Sequence, residues 1–143
     1  MTKYDSDTAA WAVEQAAALR NRSTNILDWD NLAEEIEGVA ANQRKEIRSR
    51  LKILCRHLLK WEYQPEHHSR SWHSTIYTQR DEIGECLEDS PSLRPYPATV
   101  LSRVYVIARN EVELETHLLH LPTVCPWTIE QVLNVDFLPS DPG

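Results

Sequence analysis

The sequence predicts an all-α protein, an antiparallel bundle of four main helices with a short helix near the C-terminus. Three observations carry that expectation. From about Asp28 to about Tyr63, the apolar residues Leu32, Ile36, Ala40, Ile47, Leu51, Leu54, Leu58 and Trp61 recur at helical spacing and share one face. No strand-like alternation of apolar and polar residues occurs. The chain also holds only 3 Gly and 1 Phe in 143 residues, too few glycines for a β fold built on many tight turns.

The first helix starts at Asp5, Ser6 or Asp7, each able to cap free N–H groups. It runs to about Arg20, with Trp11, Gln15, Ala18 and Leu19 at helical spacing. Asn21 to Leu27 forms a short polar connection. The second helix opens at Asp28 or Asp30, with Glu34 and Glu35 in its first turns, where acids suit the helix dipole. Gly38 costs about 1 kcal/mol relative to Ala inside a helix and is expected to mark a close crossing or a bend. Tyr63-Gln64-Pro65 ends this helix, because the residue before Pro avoids helical dihedrals.

The third helix is expected from about Ser69 to Leu87, with Trp72, Ile76, Ile83 and Leu87 on one face. Residues 89–95, with two prolines, form a turn with a short helical stretch. The fourth helix is expected from about Tyr96 to His120, presenting Leu101, Val104, Ala108, Val112 and Leu119. Thr128 caps a last short helix over Trp127 to Val132. Short links between four substantial helices give the antiparallel bundle. Residues 1–143 read as a single helical domain, long enough to bury a real core.

Net charge is −7, which disfavours non-specific binding to nucleic acid or to an anionic membrane by the molecule as a whole. Cys55, Cys86 and Cys125 are odd in number and widely spaced, so they suggest neither a disulfide framework nor a zinc site. They are expected as small packing residues, reduced in a cytosolic protein. The first residues lack a basic-then-apolar leader pattern, and no apolar run approaches the roughly 20 residues that span a bilayer. A soluble, cytoplasmic protein without membrane association is the expectation.

Polar residues on an apolar stripe are the informative exceptions. Arg50, His57 and Trp61 lie within roughly 40° of one another on the second helix. Gln79 and Arg80 lie on the third helix, and Glu115 on the fourth. A buried arginine needs a carboxylate or several carbonyls, so Glu115 is a candidate partner for Arg50 or Arg80. These six residues form the candidate polar cluster: either an interhelical network that fixes register or the lining of a pocket. No nucleophile, base and orienter are readable together, so no catalytic residue is assigned and enzyme status stays open.

The strongest surface signal is the basic face of the second helix. Arg44, Lys45, Arg48, Lys52, Arg56 and Lys60 lie opposite the apolar stripe. They could contact phosphates, or they could be balanced by acids such as Asp81, Glu82, Glu85 and Glu88 on a neighbouring helix. Six His raise the question of a metal. His117 and His120 with Glu113 could share a face, but no Glu-x-x-His motif of bundle metal sites occurs. Neither a metal nor a cofactor is expected.

Several segments match one family in order. Asp28-Trp29-Asp30-Asn31-Leu32-Ala33-Glu34-Glu35-Ile36-Glu37 and His57-Leu58-Leu59-Lys60-Trp61-Glu62-Tyr63-Gln64-Pro65 look like its two signature blocks. Ser71-Trp72, Gln79-Arg80, Asp89-Ser90-Pro91-Ser92-Leu93, Cys125-Pro126-Trp127 and Phe137-Leu138-Pro139 also match. The chain resembles the bacterial family catalogued as domain of unknown function 29, over nearly its whole length. The resemblance implies a short, soluble, helical protein and transfers no catalytic or binding role. The leading functional reading is a non-enzymatic interaction or regulatory module with a protein partner or a second copy. The alternatives are nucleic-acid binding through the basic face, and a small-ligand or enzymatic site in the polar cluster.

Overall fold

The computed structural model describes residues 2–140. They contain the α-helices α1 (Lys3–Ser6), α2 (Thr8–Arg20), α3 (Trp29–Tyr63), α4 (Arg70–Asp89), α5 (Tyr96–Thr116) and α6 (Ile129–Leu133). Four of these are long, and no strand occurs among the described residues, so the chain is all-α. Two compact units divide it, Met1–Asn42 and Gln43–Gly143.

In the first unit, Asp7 caps α2 by accepting a hydrogen bond from the Ala10 N–H. Trp11, Gln15 and Ala18 are buried on one face of α2. Gln15 sits on that face because it closes the polar connection. Its Nε2 donates to the Ile26 carbonyl at 3.2 Å, and its Oε1 accepts from the Asp28 N–H at 2.8 Å. Two side chains then hold the Asp28 carboxylate at the start of α3, Asn31 Nδ2 at 2.8 Å and Trp11 Nε1 at 2.9 Å. These hydrogen bonds hold its carboxyl below the usual range. Leu19, expected on the buried face, is 50% exposed. It lies one position beyond Ala18, about 100° around the helix from it. At Gly38 an added Cβ meets nothing within 4 Å among the described residues, so the expected close crossing does not occur between them there. The helix is continuous through that position.

In the second unit the directions of three helices follow from their side-chain pairs. Gln43 accepts from Ser90, and Arg50 meets Gln79 and Glu82, so α4 runs antiparallel to α3. Arg48 meets Tyr96, Lys52 meets Glu111 and Lys60 meets Glu115, so α5 runs parallel to α3. An up-down-up arrangement results, with α3 against both neighbours. That position explains why α3 buries Cys55 and Leu59 as well as Leu51, Leu54 and Leu58. The buried arc is wider than one partner would require. Ile76, Ile83, Val104, Tyr105, Ala108 and Val112 complete the core from α4 and α5.

Ser69 caps α4 by accepting from the Trp72 N–H, and Pro91–Leu93 form a 3₁₀ turn before α5. The sequence predicts a fourth long helix reaching about His120, but α5 ends at Thr116. His117 takes the left-handed conformation (φ 59°), and its N–H bonds back to the Glu113 carbonyl. Leu119 therefore leaves the helical face and is 77% exposed. The chain re-enters the core at Leu121, Trp127 and Val132. Tyr105 anchors this return. Its hydroxyl donates to the Pro122 carbonyl at 2.6 Å, and its ring meets Trp127 edge-on at 5.9 Å. Thr128 and Gln131 form a capping box on α6.

Candidate functional site

The six residues of the candidate polar cluster occupy different places in the second unit. Arg50 donates to Glu46 at 3.1 Å and to Gln79 at 3.3 Å, with Glu82 at 3.7 Å. Arg50 and Gln79 thus belong to an α3–α4 contact. His57 is half-buried, and its Nδ1–H donates to the Ile53 carbonyl one turn back, at 2.9 Å. Burial lowers its pKa, and the nearby Lys60 and Arg56 charges push the same way.

Arg80 is buried, and its Nε donates to the Val132 carbonyl of α6 at 2.8 Å. Its Nη2 has no hydrogen-bond partner among the described residues. Arg80 therefore fastens the C-terminal segment to α4. Glu115 meets neither Arg50 nor Arg80. It accepts from Lys60 at 2.7 Å and from Arg56 at 3.1 Å. Those bonds, Lys60 first, lower its pKa.

Trp61 lines an open cleft of about 490 Å³ with His68, Ser69, Arg70, His73, Ser74 and Tyr77. His68 stacks on Trp61 with ring centroids 3.8 Å apart, so the indole face towards it is already covered. None of the other five cluster residues lines this cleft.

The basic face of α3 is largely directed at α5. Glu111 takes Lys52 at 3.1 Å and Arg56 at 3.5 Å, and Glu115 takes Arg56 and Lys60. The balancing acids come from α5 rather than from the Asp81–Glu88 group of α4. Lys60 is buried, its stem packed and its ammonium on Glu115. Arg48 donates instead to the neutral Tyr96 hydroxyl at 2.6 Å. Arg44 and Lys45 have no ion-pair partner among the described residues.

The first unit carries a different kind of surface. Trp29, Ile36 and Val39 are 62%, 70% and 60% exposed. With Leu32 and Ala40 they fall within about 100° of arc on α3. This is the same stripe that forms core beyond Ile47. Glu35 and Glu37 flank it on its two sides. The first 42 residues hold eight of the 22 acids and only three of the 15 cations. Periodicity located the stripe, but periodicity marks an apolar face without saying what covers it. Trp29 and Val39 were readable as extensions of it by their position on the arc.

Among the described residues no three His, Cys, Asp or Glu side chains group as metal ligands. No helix among them is long and apolar enough to cross a membrane.

The class of protein is all-α, with an acid-flanked apolar face on α3 in the first unit and a partly paired basic face on α3 in the second. The family model described as Domain of unknown function DUF29 matches residues 3–138, and the chain belongs to that family. No curated protein and no solved structure matches the chain.

Proposed function

We propose that this protein is a non-enzymatic interaction module whose acid-flanked apolar face on α3 docks a basic amphipathic helix of a protein partner. The supporting observation is the exposure of Trp29, Ile36 and Val39 along one line of a helix. Aromatic and aliphatic side chains in a row at i, i+3, i+4 and i+7 spacing are what a helix-in-groove partner buries. The flanking carboxylates select the partner's charge. A second copy would bring eight more acids against eight, whereas a partner with Lys or Arg beside its apolar stripe gains attraction and a faster encounter. The three free cysteines suit a reducing compartment, and we place the protein in the cytoplasm.

Nucleic-acid binding along the whole basic face has less support, because Glu111 and Glu115 already neutralise much of it. A single catalytic cluster also has less support, because its six candidate residues do not converge.

A photo-crosslinking amino acid placed at Ile36 in living cells tests the proposal, with Arg94 as a control position. The expected result is a product specific to position 36, joined to a segment whose sequence reads as a basic amphipathic helix. Products common to both positions, or a chain crosslinked only to its own copy, would contradict it.

A further inference from the structure

Between the parallel helices α3 and α5 lies a groove of about 270 Å³, lined by Arg48, Ser49, Lys52, Arg103, Val104 and Ile107. We propose that this groove binds a small phosphorylated organic molecule. Its phosphate lies among Arg48, Lys52 and Arg103, and its apolar part rests on Val104 and Ile107.

The charge balance of this face supports the assignment. Arg48, Lys52, Arg56, Lys60 and Arg103 are five cations, while α5 offers Glu111 and Glu115 as their carboxylates. Each of these acids is shared between two cations. Neither Arg48 nor Arg103 has a carboxylate within ion-pair distance among the described residues. Arg48 spends one N–H on the Tyr96 hydroxyl and keeps the other guanidinium donors. Positive charge thus concentrates on one groove of a chain whose net charge is −7.

The chemistry of the lining selects the ligand. A phosphate monoester carries about −1.5 to −2 charges at neutral pH and three acceptor oxygens, which matches two forked guanidiniums without a carboxylate, beside the Lys52 ammonium that Glu111 also holds. A carboxylate would leave part of that charge unmet. The Ser49 hydroxyl adds a neutral donor. Val104 and the 45%-exposed Ile107 give the groove an apolar wall that a free inorganic ion would not use. The volume suits one phosphate with a small organic group, slightly below the usual range of ligand pockets. A strand of nucleic acid suits this face less well, because Lys52, Arg56 and Lys60 along it are already paired with Glu111 and Glu115. This site lies in the second unit and does not depend on the partner-docking face.

Amide and methyl NMR titration of the native protein with phenyl phosphate tests the assignment. Benzoate, inorganic phosphate and a short oligothymidylate are the comparison probes. Phenyl phosphate is expected to give saturable shifts at Ser49, Arg103, Val104 and Ile107. Arg103→Gln is expected to weaken it about tenfold while leaving the melting temperature unchanged, since Arg103 is exposed. Arg94→Gln, outside the groove, is expected to leave it unchanged. Any one of four results would overturn the assignment: no saturable shift at millimolar probe, equal affinity in Arg103→Gln, benzoate or inorganic phosphate binding as tightly as phenyl phosphate, or oligothymidylate binding more tightly with a steep salt dependence.

Discussion

Lys60 Nζ lies 2.7 Å from the Glu115 carboxylate, yet the two side chains live in different environments. The lysine side chain is 9% exposed and the glutamate 48%. Removing one partner is therefore not equivalent to removing the other. Glu115→Ala leaves a buried ammonium without its acceptor and is expected to cost about 2 kcal/mol. Lys60→Met keeps the packed stem, leaves Glu115 to Arg56 and water, and is expected to cost about 1 kcal/mol or less. Urea unfolding of both variants checks the order. Equal costs would show that the ammonium is not effectively buried.

The same pair sets a pH dependence at the acid end. Lys60 and then Arg56 depress the Glu115 carboxyl below its ordinary 4.5. A depressed folded-state pKa stabilises the fold above the unfolded value. That contribution is lost as pH falls through the lower folded value. Stability of the native protein should decline below about pH 4.5 with a component that Glu115→Gln removes. Unfolding curves for the two proteins at descending pH read the difference.

His57 adds a second window. Its half-buried imidazole, bonded to the Ile53 carbonyl, has a pKa below the ordinary 6.5 because burial penalises the charged ring. The folded state favours the neutral ring, so stability is complete above pH 6.5 and falls as pH drops through the folded value. Ring-proton NMR should show His57 titrating below 6.5, and His57→Gln should flatten the stability profile in that window. A His57 titration at or above 6.5 would contradict this.

Two helical glycines provide a test by gain. A Cβ at Gly38 or Gly84 meets nothing within 4 Å among the described residues, and both positions lie inside helices. Gly38→Ala and Gly84→Ala are each expected to stabilise by about 0.5–1 kcal/mol, through helix propensity and a less flexible unfolded chain. Calorimetric melting measures this. A loss at Gly38 would mean that something approaches the helix closely there.

Arg80 is the clasp of the C-terminal segment. Arg80→Ala removes the bond to the Val132 carbonyl and the packing of the buried stem, at an expected cost of about 3 kcal/mol. Faster amide exchange in α6 should accompany it. Unchanged exchange there would show that Trp127 and Tyr105 hold the segment alone.

Helical periods and end signals made the all-α class and the helix starts legible. Asp7, Ser69 and Thr128 cap helices as their chemistry suggests, and Pro65 follows the end of α3. The end of α5 was not legible, because nothing before it breaks a helix and the stop is a left-handed His117 rather than a glycine. Which acids face the basic run was also hidden. Charge pattern along one helix does not say whether α4 or α5 turns towards it. The Gln15 network shows the same limit in miniature, since its partners are backbone groups of the following connection.

On the proposed function, Trp29, Ile36 and Val39 form a docking face for a basic amphipathic helix. NMR titration of the isotope-labelled protein with a Leu/Lys amphipathic helical peptide reads that docking residue by residue. Saturable shifts are expected in the Trp29–Ala40 stretch alone, abolished by Ile36→Asn with Val39→Asn and absent for a Leu/Glu peptide of the same pattern. Shifts spread over the second unit, or binding that survives the double substitution, would contradict it.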